Sequence, residues 1–145
     1  MVGRTIAHYT ILEQLGEGGM GVVYKAEDTW LRRIVALKFL SPKALENESM
    51  RARFLREAQA AGSLDHPNIC TIYGIEEAEG HLFIVMAYVD GKSLHENLAS
   101  GPVSLQDALD IAIQVGQGLQ EAHEKGVVHR DIKSANILVT GKGRV

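Results

Sequence analysis

Three glycines spaced Gly16-x-Gly18-x-x-Gly21, followed at once by Val22-Val23-Tyr24-Lys25-Ala26, fix how this chain starts. β-Branched and aromatic residues favour pleated backbone. Residues 9–15, ahead of the glycines, have the same strand character, so the glycines sit at a strand-to-strand turn. A dinucleotide fold is thereby disfavoured, because there the same spacing opens a helix. A Walker A loop fails as well: Val22 stands where its lysine belongs, and Gly91-Lys92-Ser93 is preceded five residues earlier by Met86, not glycine. A glycine hairpin can bring backbone N–H groups close to phosphate oxygens, since residues without Cβ permit near approach and positive φ. A plain flexible hairpin tip would have the same spacing.

The remaining pattern extends this start into a meander. A third strand is expected over 34–39, and Ser41-Pro42 supplies a cap and a first helical position. Met50, Phe54, Ala58 and Ala61 then recur at helical spacing and predict one helix over 48–63. Two further strand-like runs, 70–75 and 82–87, flank the polar EEAEG. Asp90-Gly91 breaks the pattern, as a hinge between two lobes or as a surface turn. Beyond it, Ser93-x-x-Glu96 and Ser104-x-x-Asp107 match capping boxes. The second precedes a long helix ending near Gly126, whose stripe Leu105, Ala108, Leu109, Ala112, Ile113, Gly116, Leu119 and His123 is expected to face a core. The class is α+β, with five strands and one helix first and mainly helices after.

Composition narrows the partners. Fifteen Lys+Arg against 18 Asp+Glu give a net charge of −3, which provides no general basic field for nucleic acid or an anionic membrane. A single cysteine, Cys70, allows no intrachain disulfide and no multi-cysteine zinc site, and a reducing, cytoplasmic setting is expected. The longest apolar run, Leu82 to Val89, is too short to span a membrane, and MVGRTIAHYT lacks the apolar core of an export signal. Asn47-Glu48-Ser49 matches a glycosylation sequon by chance in such a setting.

Two charges sit among apolar neighbours. Lys38, in IVALKFL, shares a strand face with Ala36 and Leu40, and Glu57 lies on or beside the apolar stripe of the helix that follows. Burying either alone would cost several kcal/mol. A Lys38–Glu57 ion pair is the expected resolution. Separately, Lys38 could snorkel to water at a strand edge and Glu57 could sit on a solvated flank.

Near the end of the sequence, VVHRDIKSANILV sets Asp131, Lys133 and Asn136 in a short loop between apolar runs. An aspartate can accept a proton or orient a hydroxyl, a lysine can neutralise charge on a transferring phosphate, and an asparagine oxygen can meet a hard cation such as magnesium. A surface pair of Arg130 with Asp131 and a turn capped by Asn136 would need the same residues.

In this order the motifs resemble the protein kinase family over nearly the whole chain. GEGGMGVV resembles its glycine-rich loop, VALK its third-strand lysine motif, Glu57 the helix partner of that lysine, and HRDIKSAN its catalytic loop. Lys133, two residues after Asp131, is similar to the serine/threonine class. FLREAQAAGSLDHPNI and HEKGVVHRDIKSANIL look most like bacterial serine/threonine kinases.

The resemblance implies phosphoryl transfer from Mg-ATP to a Ser/Thr hydroxyl of a protein substrate. By matching position, Gly16, Glu17, Gly18, Gly19, Met20, Gly21, Val22 and Val23 would cover the phosphates, and Leu15 would also bind the nucleotide. Lys38 would hold the α- and β-phosphates, Asp131 would act as base, and Asn136 would bind magnesium. Val23, Ala36 and Leu138 would sandwich adenine, and backbone groups of Ala87 and Val89, behind Met86, would bond its edge. Ala87 departs from the acidic residue common there, which a backbone contact tolerates.

It also implies a five-stranded antiparallel N-lobe sheet with one helix over 1–89 and the first part of a helical C-lobe over 90–145. The family's Asp-Phe-Gly, whose Asp holds the catalytic magnesium, does not occur, nor does Ala-Pro-Glu. The expectation is an incomplete kinase domain, inactive alone, with one apolar face of its long helix uncovered and poor solubility. The alternative is a pseudokinase-like remnant that binds nucleotide or a partner without chemistry.

Overall fold

The computed structural model describes every residue, Met1–Val145. They form two compact units, residues 1–63 with 71–88 and residues 64–70 with 89–145.

The first unit is built on one antiparallel sheet. Its strands are β1 (Thr5–Ile6), β2 (Tyr9–Gly18), β3 (Gly21–Asp28), β4 (Arg33–Leu40), β5 (Ile72–Ala78) and β6 (His81–Ala87), in the order β1-β2-β3-β4-β6-β5. All five expected strands are present. The sixth, β1, is two residues long and cannot display alternation. Because side chains alternate across a strand, the sheet carries two cores. Ile11, Ala26, Val35, Leu37, Phe39, Phe83 and Val85 fill one, with the Phe39 and Phe83 rings stacked at 4.8 Å. In the other, Leu40, Leu82 and Ile84 meet Phe54 and Ala58 of a helix. Full burial of each such large side chain stabilises by about 1.5–3 kcal/mol. Tyr9 is buried beside the first core, and its hydroxyl donates to Glu76 Oε1 at 2.6 Å. Burial first, and then that bond, hold the phenol protonated well above the usual tyrosine range.

The Ser41-Pro42 start opens a short helix, α1 (Pro42–Glu46), and the helix expected over 48–63 follows as α2 (Glu48–Gly62). Asn47 separates them with an extended backbone at φ −91° and ψ 107°. It ends α1, its N–H donating to Ala44 O at 3.2 Å, and starts α2, its Oδ1 accepting from the Met50 N–H at 3.1 Å. Replacing Asn47 by Ala removes the side-chain cap and is expected to cost about 1 kcal/mol. The measurement is the shift of the urea midpoint at unchanged slope; no shift would refute the cap's contribution.

In the second unit, β7 (Gly91–Ser93) and β8 (Leu138–Thr140) pair antiparallel, beside α3 (Leu94–Ala99) and α4 (Leu105–Glu124). Of the two predicted capping boxes, the first forms in full and the second only as a one-way cap. Ser93 Oγ accepts from the Glu96 N–H while Glu96 Oε2 accepts from the Ser93 N–H. Ser104 Oγ accepts from the Asp107 N–H at 3.1 Å. Residues 64–70 join this unit because Asn68 Nδ2 donates to Gln114 Oε1 and to Val145 O, at 3.3 and 2.8 Å. Gly118 makes room for that segment, since a Cβ there would lie 2.9 Å from Asn68 O.

The stripe of α4 expected to face a core is instead the uncovered apolar face that was also expected of this helix. Gly118 and Ala122 are buried, whereas Leu105, Leu109 and Ile113 are exposed. The Asn68 segment and Val145 settle at Gln114 and Gly118, and the other apolar stripe is left uncovered. No helix is long and apolar enough to cross a membrane.

Candidate active site

The glycine hairpin joins β2 to β3, with Gly18 opposite Gly21 and Gly16 opposite Val23. Its glycines serve by their size. None has positive φ, so near approach and not left-handed backbone is what they allow. Where a Cβ would stand on Gly16, Gly18 or Gly19, no atom lies within 4 Å, so the backbone is bare. A Cβ on Gly21 would fall 1.7 Å from Phe39 O, so strand pairing itself requires glycine. The tip is not loose, because Met20 O accepts from the Ser41 N–H at 2.8 Å and the Met20 side chain packs on the α2 side of the sheet. Leu15 and Glu17 are exposed, and Val22 and Val23 are half-buried.

Lys38 sits in β4 between Val23 and Ile84, and Ala36 sits between Lys25 and Met86. Directly paired residues share a face, so Val23, Ala36, Lys38 and Met86 lie on the α2 side. The expected Lys38–Glu57 ion pair is not formed. Glu57, its side chain 58% exposed, takes Arg53 Nε at 2.9 Å, one turn back on α2. An i,i+4 partner satisfies the carboxylate in water without desolvating it. Half-buried Lys38 therefore has no counter-charge from the protein. At the end of β6, the Ala87 N–H donates to Thr71 O at 2.8 Å, and in the second unit Val89 O accepts from the Gly91 N–H at 3.1 Å. One backbone group of each of these two residues is thus engaged within the protein.

The polar loop of the second unit follows α4. It is anchored behind by Val127 N–H to Ala122 O and ahead by Leu94 N–H to Ile137 O, at 2.8 and 2.7 Å. Between these anchors the residues converge on one carboxylate. Asn136 Nδ2 donates to Asp131 O at 2.9 Å and to Asp131 Oδ2 at 3.2 Å. Lys133 Nζ stands 3.6 Å from the same Oδ2. Asp131 and Lys133 are both exposed, so the carboxylate is open to solvent. Asp131 pairs with Lys133 and not with Arg130, whose φ of +69° is left-handed. Such a conformation costs a non-glycine residue about 1 kcal/mol.

Sequence reasoning gave His129 no role, yet its Nδ1 accepts from the Asp131 N–H at 3.1 Å and orients that residue. Its place two residues before Asp131 was the available signal. Leu138 stands in β8, partly exposed.

The donor set suits a magnesium ion delivered with its ligands. Nδ2 of Asn136 is spent on Asp131, which leaves Oδ1 as the oxygen for a hard cation. No three His, Cys, Asp or Glu gather to hold a metal. The remaining oxygens would come from phosphates and water, which is how Mg²⁺ commonly binds.

A glycine hairpin in a sheet that carries a strand lysine, and a loop gathering Asp, Lys and Asn, define a kinase-like α+β protein. The family described as Protein kinase domain matches residues 9–145. The chain belongs to the protein kinase family. It is 46% identical over 140 residues to the serine/threonine-protein kinase PknD of Mycobacterium tuberculosis (strain CDC 1551 / Oshkosh), covering 96% of this chain and 21% of that protein. To the serine/threonine-protein kinase PrkC of Bacillus subtilis (strain 168) it is 46% identical over 148 residues, covering 100% of this chain and 23% of that one. Among solved structures, the PknI kinase domain of M. tuberculosis superposes with a TM-score of 0.82 at 35% identity, over 97% of this chain and 57% of that chain. The chain therefore spans under a quarter of the length of these two curated relatives.

Proposed function

We propose that these residues are the nucleotide-handling and hydroxyl-activating part of an ATP-dependent serine/threonine protein kinase acting in the cytoplasm. One observation carries the reading: the exposed Asp131 carboxylate, with Asn136 Nδ2 at 3.2 Å and Lys133 Nζ at 3.6 Å.

Asp131 accepts the proton of the substrate hydroxyl, and Lys133 lowers the cost of charge on the moving phosphoryl group. Magnesium, when bound, neutralises charge on the β- and γ-phosphates, and Asn136 Oδ1 is the atom that would hold it. In the first unit, Lys38 takes the α- and β-phosphates as the counter-charge it lacks within the protein. The bare backbone of Gly16, Gly18 and Gly19 gives phosphate oxygens room to approach N–H donors. The common face of Val23, Ala36 and Met86 suits a flat base.

The test is calorimetric titration of the chain with Mg-ATP. Binding should weaken about tenfold or more in Lys38→Met, a loss of about 1.4 kcal/mol. Unchanged affinity in the variant, or binding of NADH in place of ATP, would overturn the assignment. These residues include no Asp-Phe-Gly. A polypeptide of them alone is expected to bind nucleotide but fall far below the roughly 1–100 s⁻¹ of kinases.

A further inference from the structure

A second cation stands on the face assigned to the nucleotide base. Lys25 is paired in register with Ala36 on β4, and Ala36 with Met86 on β6. Directly paired residues share a face, so Lys25 belongs to the surface formed by Val23, Ala36 and Met86. A lysine in that row is a local conflict. Its neighbours toward β4 and β6 are apolar, yet its side chain is only 26% exposed. A lysine gives up that much water where something receives its ammonium.

Two groups receive it. Glu13, opposite Lys25 on β2, places Oε1 3.5 Å from Nζ. On the other side, Nζ lies over the Tyr88 ring, 4.7 Å from its centroid. Tyr88 directly follows β6, so the lysine passes above β4 to reach it. Two strand spacings, about 10 Å, separate β3 from β6, and a lysine stem and a tyrosine ring together cover that distance. Ala36 allows the crossing, because the β4 residue lying between has nothing beyond Cβ to obstruct it.

The place of this contact gives it a task. Ala87, whose backbone is expected to meet the edge of the base, immediately precedes Tyr88. Its N–H already donates to Thr71 O at 2.8 Å. Lys25 holds the next residue from the β3 side, so the chain leaving β6 is fixed from both flanks. The Glu13 carboxylate matches the lysine charge, and the pair offers no net charge to a phosphate. A plain cross-strand pair with Glu13 would stabilise the sheet and do no more; the reach to Tyr88 is what ties Lys25 to the base.

We propose that Lys25 is a positioning residue for the nucleotide base, holding Tyr88 so that the Ala87 backbone stands where the base edge meets it. This role rests on the kinase reading and adds to it a residue that acts through Tyr88, not on the nucleotide itself. A backbone already held in its bound position loses less entropy when the base arrives. Releasing the clamp therefore weakens binding of the base and spares binding of the phosphates.

The experiment is calorimetric titration of the chain with adenosine, Mg-ATP and Mg-tripolyphosphate. Lys25→Met keeps the stem and removes the charge. Its affinity for adenosine and Mg-ATP should fall about three- to tenfold, the range of a half-buried cation–π contact, while its affinity for Mg-tripolyphosphate is unchanged. Lys25→Arg should restore the affinity for adenosine, because a guanidinium also stacks on a ring and pairs with a carboxylate. Tyr88→Leu, which leaves the Lys25–Glu13 pair in place, is the second variant: it should lose as much as Lys25→Met, and the double variant no more than either. Wild-type affinity for adenosine in Lys25→Met, an equal loss toward tripolyphosphate, or losses that add in the double variant would overturn the proposal. So would a Lys25→Arg chain that melts like wild type yet binds adenosine as weakly as Lys25→Met. A wild-type chain that binds neither adenosine nor Mg-ATP would instead overturn the kinase reading itself, and the proposal with it.

Discussion

Asp131→Asn should lower phosphotransfer to a protein hydroxyl by about 10²- to 10⁴-fold in an active kinase that contains this sequence, the contribution typical of a positioned general base. An amide cannot accept the hydroxyl proton, and it removes the charge that holds Lys133 at 3.6 Å. Stability should hardly change, because Asp131 is exposed and its backbone contacts, from His129 Nδ1 to its N–H and from its carbonyl to Asn136 Nδ2, survive the substitution. Quench-flow kinetics with Mg-ATP would locate the loss in the chemical step, leaving nucleotide affinity near wild type. A variant retaining more than about a tenth of the rate would show that Asp131 is not the base.

The second large effect concerns the fold. In Gly21→Ala the new methyl carbon would fall 1.7 Å from the Phe39 carbonyl oxygen, a backbone atom in the partner strand. Relief requires β3 to move away from β4 at the Gly21–Leu40 pair, beside the point where Met20 O accepts from the Ser41 N–H. A cost of about 3 kcal/mol is expected, in the upper range of single substitutions. For a chain of this size that lowers Tm by about 10 °C. Gly18→Ala is the paired control: no atom lies within 4 Å of its would-be Cβ, and its Tm should stay within a few degrees. Its effect should appear in Mg-ATP affinity if the bare backbone meets phosphate. Equal melting of the two variants would show that the strands separate there without cost.

What could be read beforehand depended on how local each interaction is. The strand runs were legible because alternation and β-branching repeat along them, and the caps at Ser93 and Ser104 because donor and acceptor lie three residues apart. The grouping of Lys133 and Asn136 about Asp131 was legible for the same reason, since all three fall within six residues. The Lys38–Glu57 pair was misjudged because it spans two elements, while Arg53 offered Glu57 a partner one turn away. The facing of α4 was misjudged because that helix is apolar on two sides. Leu105, Leu109 and Ile113 form one stripe, and Ile111, Val115 and Ala122 form another. Periodicity cannot choose between them; the contact of Asn68 with Gln114 does.

Ser41 is the junction of three hydrogen bonds: its N–H reaches Met20 O at the glycine tip, its carbonyl accepts from the Leu45 N–H, and its hydroxyl oxygen accepts from the Ala44 N–H. Lifting the tip therefore breaks a bond to the residue that caps α1. Anything that clamps the glycines down should slow deuterium uptake at Ala44 and Leu45, far along the chain from the bound group, and make this short helix a reporter of the loop above it.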